Sequence, residues 1–332
     1  MNIIENIEKE LLSSSPLKII FPEGEEERIL KAIKEIVSQK ICQPILIGKK
    51  EKILSNLDED LKDKIEIIEP EKSEKLETYA KIFSESEKIS LEIAKNIILH
   101  PLFFGALSLK NNDVDGMIAG AFYTSGDVIS VSKKIIGIKE GFKIVSSFFL
   151  MTKENSPYGE NGSLIFADAS VNINPNEEEL AEIAVMTGQT AKTLFQWTPR
   201  IALLSFSTKG SASHPLVDKV KKATELAKQK NPDLLIDGEL QGDAALRIEV
   251  AQKKIKTPSE VAGKANVLIF PDLNSANICY KLVNILAEYQ ALGPILQGFQ
   301  KPISDLSRGV KPEEIVNITA IISYWAKNLN KQ

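Results

Sequence analysis

Hydroxyl, glycine and charged residues cluster in three loops at predicted strand-to-helix junctions. The loops are 123–127 (YTSGD), 205–211 (SFSTKGS) and 305–309 (DLSRG). Hydroxyl donors and free backbone N–H groups at the positive end of a helix dipole can hold a phosphate or a carboxylate. The residues predicted to bind such an anion are Thr124, Ser125, Gly126, Ser207, Thr208 and Lys209. Because Ser and Thr are also ordinary helix N-caps, capping is the alternative for Thr124, Ser125 and Ser207.

Arg308 stands out because this chain rarely uses arginine. Of its 41 basic residues only four are Arg, namely Arg28, Arg200, Arg247 and Arg308. A guanidinium between Ser307 and Gly309 suggests a need for its planar fork, which binds phosphate-like oxygens through paired hydrogen bonds. An ion pair with Asp305 or another nearby acid is the structural alternative.

Two acids, Glu313 and Glu314, follow this loop in the first turn of the next predicted helix. Acids in that turn complement the positive end of the helix dipole. Glu314 has a second interpretation, as a proton acceptor that faces the site. Both interpretations stay open on the sequence alone.

The scarce residue types exclude several kinds of site. Cys42 and Cys279 are too few and too far apart for a Cys-rich zinc site or a disulfide scaffold, and we expect both to be buried thiols. His100 and His214 each precede a proline and lack a G-x-S-x-G partner, which argues against a Ser-His-Asp triad. No G-x-G-x-x-G or Walker loop is present, so a nucleotide site of either type has no support.

Charge and hydropathy indicate the class of protein. The chain has 332 residues, with 45 acidic and 41 basic side chains and a net charge of −4. That balance is too even for a protein that binds nucleic acid or a membrane surface. Its apolar runs fall far short of the roughly 18 residues of a membrane-spanning helix, and its acidic N-terminus lacks the pattern of a signal peptide. We therefore expect a cytoplasmic protein that binds neither membrane nor nucleic acid.

Short β-branched runs alternate with helical patterns along the chain. The predicted strands lie in 17–24, 44–48, 64–70, 114–121, 143–151, 163–168, 200–207, 234–238, 267–272 and 293–298. Helical patterns cover 25–40, 176–195 and 312–326. The turn-rich segment 156–163 predicts a hairpin, and the charged segment 50–75 predicts a solvated helical face and loop. The alternation predicts an α/β fold with a largely parallel sheet, in which ligands bind at the carboxyl ends of strands.

Seven segments, in order from about residue 17 to the C-terminus, resemble the phosphate acetyltransferase (phosphotransacetylase) family. They are FPEGEEERILKAI, VDGMIAGAFYTSGDV, FADASVNINPNEEELAEIA, PRIALLSFSTKGSA, PDLLIDGELQGDAA, VAGKANVLIFPDLNSANICYKL and GPILQGFQKPISDLSRG. The resemblance implies reversible transfer of an acetyl group between acetyl-CoA and phosphate, giving acetyl phosphate and CoA. These small molecules are the expected partners. No cofactor is expected, because acetyl-CoA and CoA are substrates, and no metal site is predicted.

The resemblance also implies a two-domain α/β fold related to the isocitrate and isopropylmalate dehydrogenases. The sheets would be largely parallel, the active site would lie in the interdomain cleft, and the protein would be a homodimer. The predicted domains are 1–144 plus 298–332, and 145–297.

The family's site residues carry over onto one loop and the helix that follows it. Ser307 and Arg308 match the pair that binds phosphate and acyl oxygens and stabilises a tetrahedral transition state. The family acid that activates the CoA thiol, typically Asp, falls on Glu314, one methylene longer. The acyl group passes directly between the two bound substrates, so no enzyme nucleophile is implied.

Two family arginines associated with CoA binding are absent from this chain. Counting from the neighbouring family motifs places Ser84 and Ser130 at these CoA-binding positions. Lysines close in sequence are candidates to replace the missing charge, namely Lys88, Lys133 and Lys134.

Two alternatives to the acetyltransferase follow: a phosphate acyltransferase for longer groups such as butyryl, and a homologue impaired in CoA binding that has a regulatory role. A metal-dependent hydroxyacid dehydrogenase of the related fold would need a cluster of Asp ligands that the chain lacks.

Overall fold

The structure is a computed structural model that describes residues 3–13 and 15–329. It contains two compact units, one formed by Ile3–Lys139 with the chain from Phe299 onward, the other by Glu140–Gly298. The domain boundaries predicted from the resemblance, at 144/145 and 297/298, stay a prediction about folding units. The ends of the predicted first domain, residues 1–2 and 330–332, lie outside the described residues.

Strands and helices alternate along the first unit. Its elements up to residue 139 are α1 (Ile3–Leu12), β1 (Lys18–Phe21), α2 (Glu27–Ser38), β2 (Gln43–Ile47), α3 (Lys50–Ser55), β3 (Glu66–Ile68), α4 (Leu76–Glu87), α5 (Leu91–Ile98), α6 (Pro101–Lys110), β4 (Gly116–Ala119) and α7 (Ser125–Ile135). Single turns of 3-10 helix flank β3, at Glu59–Leu61 and Pro70–Lys72. The charged segment 50–75 therefore contains α3 and β3 as well as loops.

The second unit has the same alternation, after which the chain returns to the first unit. The elements of the second unit are β5 (Ser146–Thr152), β6 (Ser163–Ala167), α8 (Glu177–Phe195), β7 (Arg200–Leu204), α9 (Pro215–Lys230), β8 (Leu235–Leu240), α10 (Gly242–Leu246), α11 (Ile248–Lys254), β9 (Val267–Ile269), α12 (Leu273–Ala287) and β10 (Gln290–Gln297). The returning chain forms β11 (Ile303–Asp305) and α13 (Pro312–Leu329).

The strands of the first unit are ordered β3-β2-β1-β4-β11, and each neighbouring pair is parallel. Ile20 lies opposite Ile45 on β2 and Met117 on β4, which sets the register of the central strands. All four residues of β4 are buried, as expected of a parallel strand covered on both faces. Because the strands are parallel, their carboxyl ends meet at one edge, where we expect ligands.

The second unit is ordered β10-β5-β6-β9-β7-β8. The pairs β10–β5 and β5–β6 are antiparallel, and the remaining pairs are parallel. The predicted hairpin over 156–163 is confirmed as the connection between β5 and β6. Gly162 takes a φ of +84° in this turn, and a Cβ there would lie 2.1 Å from the Lys153 carbonyl oxygen. The predicted α/β class with a largely parallel sheet is confirmed.

The start of α8 shows how local sequence sets an element boundary. The Asn176 side chain accepts the N–H groups of Glu178 and Glu179 at 3.0 and 2.9 Å, and the Glu179 carboxylate accepts the Asn176 N–H at 2.9 Å. This capping box satisfies backbone donors that have no partner inside the helix. The predicted acidic helix start is therefore confirmed.

Two expectations need correction. Strand β11 was not predicted, because three residues are too short a run to show an apolar pattern. Cys42 is buried as expected, but Cys279 is only half-buried, and burial raises the pKa of both thiols. Within the part of the chain that the structure describes, none of the helices has the length and apolar character needed to cross a bilayer.

Candidate active site

The carboxyl ends of β1, β4 and β11 lie side by side in the first unit. β4 is paired with β1 on one side and with β11 on the other. The first residue after β11, Leu306, donates its N–H to the carbonyl of Ala119 at 2.6 Å. The loop with Ser307 and Arg308 therefore lies against the loop that leads to Thr124.

The loop after β11 presents two of the three predicted catalytic residues, Ser307 and Arg308, to solvent. Ser307, Arg308 and Gly309 are exposed. Ser307 Oγ accepts the Gly309 N–H at 3.1 Å, which leaves the hydroxyl proton to donate. No carboxylate in residues 3–13 and 15–329 forms an ion pair with the Arg308 guanidinium, so the alternative of an ion pair with Asp305 is wrong for these residues. The Arg308 side chain keeps its donors for a ligand.

Thr124 caps the helix that starts beside this loop. Its Oγ1 accepts the Asp127 N–H at 3.2 Å and donates to the Asp127 carboxylate at 2.7 Å. The capping alternative is therefore confirmed for Thr124. Ser125 and Gly126 are exposed in the first turn of α7, where backbone N–H groups have no intrahelical acceptor. These N–H groups provide the anion-binding character of the helix end.

Asp305, the last residue of β11, is a buried acid directly before this loop. Only 1% of its surface is exposed, and neither carboxyl oxygen has a hydrogen-bond partner among the described residues. Burial raises the pKa of Asp305 to about 6, opposed by the nearby Ser125 hydroxyl and reinforced by Glu23. Gly120 makes the close packing possible, since a Cβ at that position would lie 2.3 Å from Asp305 Oδ1.

Sequence reasoning missed Glu23 and assigned no role to Arg28, although both lie in the segment FPEGEEER. The buried Glu23 carboxylate accepts the backbone N–H groups of Ala121, Phe122 and Tyr123 at 2.9, 2.8 and 2.6 Å. Arg28 donates to the carbonyl oxygens of Ala121 at 2.7 Å and of Arg308 at 2.5 Å. No local motif signals these contacts, because the acceptors are loop backbone atoms far along the chain.

A cavity of about 350 Å3 lies beside these loops in the first unit. Its lining includes Pro22, Glu23, Pro101, Phe122 and Tyr123. Glu25 and Glu26 also line the cavity, so it combines apolar and aromatic surface with acidic side chains.

Glu314 has a structural role at the start of α13. Its Oε2 accepts the N–H of Lys311, the residue before the helix, at 2.8 Å. One carboxyl oxygen therefore caps the helix, as the dipole interpretation predicts. A carboxylate has a second oxygen, so the cap does not use up its capacity to accept a proton.

The predicted anion loop of the second unit already holds a carboxylate. Ser207 Oγ donates to the buried Glu239 at 3.0 Å, and the Gly210 N–H donates to the same oxygen at 2.7 Å. Thr208 Oγ1 accepts the Gln241 N–H at 3.0 Å. In this structure the polar groups of the loop satisfy partners inside the second unit.

Lys209, the cation of that loop, forms an ion pair with Asp237 and donates to the Gly238 carbonyl at 2.9 Å. Burial on its own would raise the pKa of Asp237. Hydrogen bonds from Lys209 and Ser259 outweigh burial, so the pKa lies below its ordinary value. The Lys209 head is partly exposed, with 30% of its side-chain surface accessible.

The two positions where the family has arginine lie on α4 and α7. Ser84 is half-buried and donates its hydroxyl to the Ile89 carbonyl at 2.6 Å, whereas Ser130 is exposed. Lys134, one turn after Ser130, forms an ion pair with Glu87 at the end of α4. The Lys134 charge is therefore partly balanced within the protein.

Both histidines cap helices. The Nδ1 atoms of His100 and His214 accept the N–H groups of Leu102 and Leu216 at 3.3 and 3.2 Å. Burial lowers the pKa of His100, with the nearby Asp127 opposing it. Nowhere in residues 3–13 and 15–329 do three His, Cys, Asp or Glu side chains converge so as to hold a metal ion.

Asp305→Asn is predicted to stabilise the protein in a pH-dependent way. The pKa of Asp305 is about 6 in the folded protein, whereas the ordinary value of 3.8 applies to the unfolded chain. As pH rises through this window the unfolded chain loses its proton more readily than the folded protein, so the free energy of unfolding of the wild-type protein decreases. The difference corresponds to about 3 kcal/mol at most. Denaturant unfolding between pH 4 and 7.5 should show the advantage of the variant growing up to about pH 6 and then levelling. Asp60→Asn, at an exposed acid, is the control, and a pH-independent difference for Asp305→Asn would contradict the prediction.

Comparison with known proteins identifies the family. The family model described as phosphate acetyl/butaryl transferase matches residues 2–323. A phosphate acetyltransferase of Thermoanaerobacterium thermosaccharolyticum is 49% identical over 332 residues, covering 98% of this chain and 100% of that protein. One of Clostridium acetobutylicum is 48% identical over 327 residues, covering 97% of each chain.

Solved structures agree with the family match. A phosphotransacetylase from Streptococcus pyogenes superposes with a TM-score of 0.90 at 39% identity, covering 99% of this chain and 98% of that one. A 4-hydroxythreonine-4-phosphate dehydrogenase from Klebsiella pneumoniae, at a TM-score of 0.54 and 9% identity, is similar in fold alone, in line with the dehydrogenase-like fold predicted above. The resemblance found in the sequence is confirmed over nearly the whole chain, which belongs to the phosphate acetyl/butaryl transferase family.

Proposed function

We propose that this chain catalyses the reversible transfer of an acetyl group between acetyl-CoA and phosphate, giving acetyl phosphate and CoA. The observation that carries the proposal is the exposed Ser307–Arg308 pair at the carboxyl end of β11, beside the first turn of α7. Relatives that match over nearly their full length are named phosphate acetyltransferases. Those names favour acetyl over butyryl, and an enzyme over a regulatory homologue.

The proposed reaction forms one bond and breaks one. From acetyl phosphate, the CoA sulfur bonds to the carbonyl carbon, and the C–O bond to phosphate breaks with its electron pair leaving on phosphate. Negative charge grows on the acyl and phosphate oxygens in the transition state. The Arg308 fork and the Ser307 hydroxyl are the donors we assign to those oxygens, and their effect is oxyanion-type stabilisation.

Glu314 is the proposed base for the CoA thiol. A free thiol has a pKa near 8.5, so only a small fraction is thiolate at neutral pH and a base accelerates attack. The thiol proton passes to the Glu314 carboxylate and ends on the released phosphate. The oxygen that does not cap Lys311 is the one we assign to this transfer.

Backbone groups at the start of α7 are the proposed second contact to phosphate. The N–H groups of Ser125 and Gly126 combine free donors with the positive end of the helix dipole. Thr124 takes part by shaping the helix start, since its hydroxyl is engaged with Asp127.

Contacts of Ser207, Thr208 and Lys209 with substrate stay a prediction from the sequence. A phosphate that used the Ser207 hydroxyl and the Gly210 N–H would have to displace the Glu239 carboxylate. Lys209 is the member of this loop that we propose for an electrostatic role, since its head is partly exposed.

Contacts to CoA at Ser84 and Ser130 are proposed from the family positions alone. A serine offers one short hydroxyl where arginine would offer a charged fork, so we expect weaker CoA binding than in relatives that keep both arginines. Of the nearby lysines, Lys88 and Lys133 are exposed, and Lys134 is paired with Glu87.

The remaining parts of the proposal concern assembly and setting. We propose a homodimer through an apolar face of α12, where four large side chains are 50–77% exposed, namely Ile278, Leu282, Ile285 and Leu286. These residues lie on one side of the helix, and such patches mark association surfaces.

We also propose a cytoplasmic enzyme that acts without a prosthetic group or metal and without membrane or nucleic-acid partners.

Arg308→Ala is predicted to abolish measurable turnover, and Arg308→Lys to lower kcat by at least about a hundredfold. The measurement is thioester formation from acetyl phosphate and CoA with purified protein, and the same assay gives the KM for CoA. Arg247→Ala, which removes another exposed guanidinium, is the control. Absence of turnover in the wild-type protein at every substrate concentration would overturn the proposed function.

Glu314→Gln is predicted to lower kcat by about 10²- to 10⁴-fold, because it removes the base. Its amide oxygen still accepts the Lys311 N–H, so the helix cap and thermal stability should persist. Glu314→Asp restores the residue type common in the family and should retain most activity. Glu313→Gln is the matched control, and wild-type kcat in Glu314→Gln would rule out the assigned role.

The double substitution Leu282→Glu and Ile285→Glu is predicted to yield monomers, because it places charges in the apolar face of α12. Sedimentation should give twice the chain mass for the wild type and a single chain mass for the variant. Leu216→Glu, at an exposed leucine on α9, is the control. A monomeric wild type at micromolar concentration would contradict the proposed dimer.

A further inference from the structure

We propose that Arg28 is a positioning residue that fixes the Ser307–Arg308 loop for acyl transfer, acting through backbone carbonyls rather than through contact with substrate. The inference rests on the proposed function, because it assigns Arg28 a role in the same reaction. The Arg28 guanidinium bonds to two loops far from it in sequence, at Ala121 and at Arg308, which lies 280 residues away.

The three donor nitrogens of Arg28 serve three different segments. Nη1 donates to the Arg308 carbonyl at 2.5 Å, and Nη2 donates to the Ala121 carbonyl at 2.7 Å. Nε donates to the Glu26 carboxylate at 2.8 Å. The planar fork is therefore engaged along its whole length, which fixes its orientation as well as its position.

The surroundings of Arg28 explain why its role is structural. Its side chain is 28% exposed, and Glu26, at 22%, balances its charge. A paired, partly buried guanidinium with three of its five N–H donors in use has less capacity left for a substrate phosphate. Arg308 is the opposite case, exposed and without an ion pair in the described part of the chain.

The Arg308 loop has few hydrogen bonds to other parts of the chain, and the contact with Arg28 is one of them. Its internal hydrogen bonds are those within the turn from Ser307 to Val310. Within residues 3–13 and 15–329, two hydrogen bonds connect 306–310 to other parts of the chain: the Leu306 N–H donates to the Ala119 carbonyl at 2.6 Å, and Arg28 donates to the Arg308 carbonyl. Without Arg28 the turn is still held at its ends, by the Leu306 N–H bond and by the buried Val310 and the Lys311 N–H bond to Glu314, but the Arg308 carbonyl between them loses its hydrogen bond.

If the Arg308 carbonyl loses its hydrogen bond, the backbone of Arg308 can move, and the side chain moves with it. The direction of the guanidinium follows from the backbone that carries it, and displacement of a catalytic group by about 1 Å can cost about a hundredfold in rate. We therefore expect loss of Arg28 to reduce the rate of the chemical step more than substrate affinity.

The experiment compares Arg28→Gln, Arg28→Lys and the control Lys31→Gln. Lys31 lies on the same helix and forms an exposed pair with Glu27. We expect Arg28→Gln to lower kcat by about 10- to 100-fold, with the KM values for CoA and acetyl phosphate within about threefold of wild type. Arg28→Lys should recover only part of the rate, since one ammonium cannot reach all three acceptors.

Amide hydrogen exchange gives a readout that does not depend on activity. Faster exchange at 120–123 and 306–310 in Arg28→Gln, but not in Lys31→Gln, would support positioning even if the wild-type protein showed no acetyl transfer. If Arg28→Gln does not fold, the same exchange and kinetic comparison is made with Arg28→Lys. Unchanged exchange in both loops, unchanged kcat, or an effect confined to KM would overturn the inference.

Discussion

Strand β4 is hydrogen-bonded to β1 on one side and to β11 on the other, and all three strands run in the same direction. This parallel pairing brings the residues after three distant segments to one edge of the first unit. The Glu23 contacts span about a hundred residues, and the Arg28 contact to Arg308 spans 280. The candidate site forms because this strand order brings residues that are far apart in sequence within hydrogen-bond distance of one another.

Charged groups at this edge differ in how the protein satisfies them. Glu23 is buried and accepts three backbone N–H groups, so its charge is stabilised where it lies. Asp305 is also buried, neither of its carboxyl oxygens is hydrogen-bonded within residues 3–13 and 15–329, and burial raises its pKa to about 6. Arg28 is paired, whereas Arg308 is exposed. In the part of the chain that the structure describes, this edge therefore contains groups that hold its loops together, and the exposed Arg308 remains available to an anion.

Helix capping uses several side chains that chemistry would also use. Thr124 and Glu314 both satisfy backbone N–H groups at helix starts, and Ser207 accepts one within its own loop. A hydroxyl or carboxylate has more than one hydrogen-bonding site, so a structural bond does not prevent a second role. The structural hydrogen bond does restrict the direction in which the remaining atoms of the side chain can point. Substitutions that keep the cap but remove the charge therefore separate the structural role from the chemical one.

The sequence by itself determined the α/β class, ten of the strands, the hairpin over 156–163 and the family. These features follow from local patterns: apolar runs, the acidic start of α8 after Asn176, and motifs in a fixed order. Only the tertiary structure revealed β11, the antiparallel pairing of β10 with β5, the burial of the Asp305 carboxyl, and the contacts of Glu23 and Arg28. The physical reason is that these features depend on strand order and on backbone groups brought together across long stretches of chain. No residue type or spacing near Arg28 specifies that its acceptors are the carbonyls of Ala121 and Arg308.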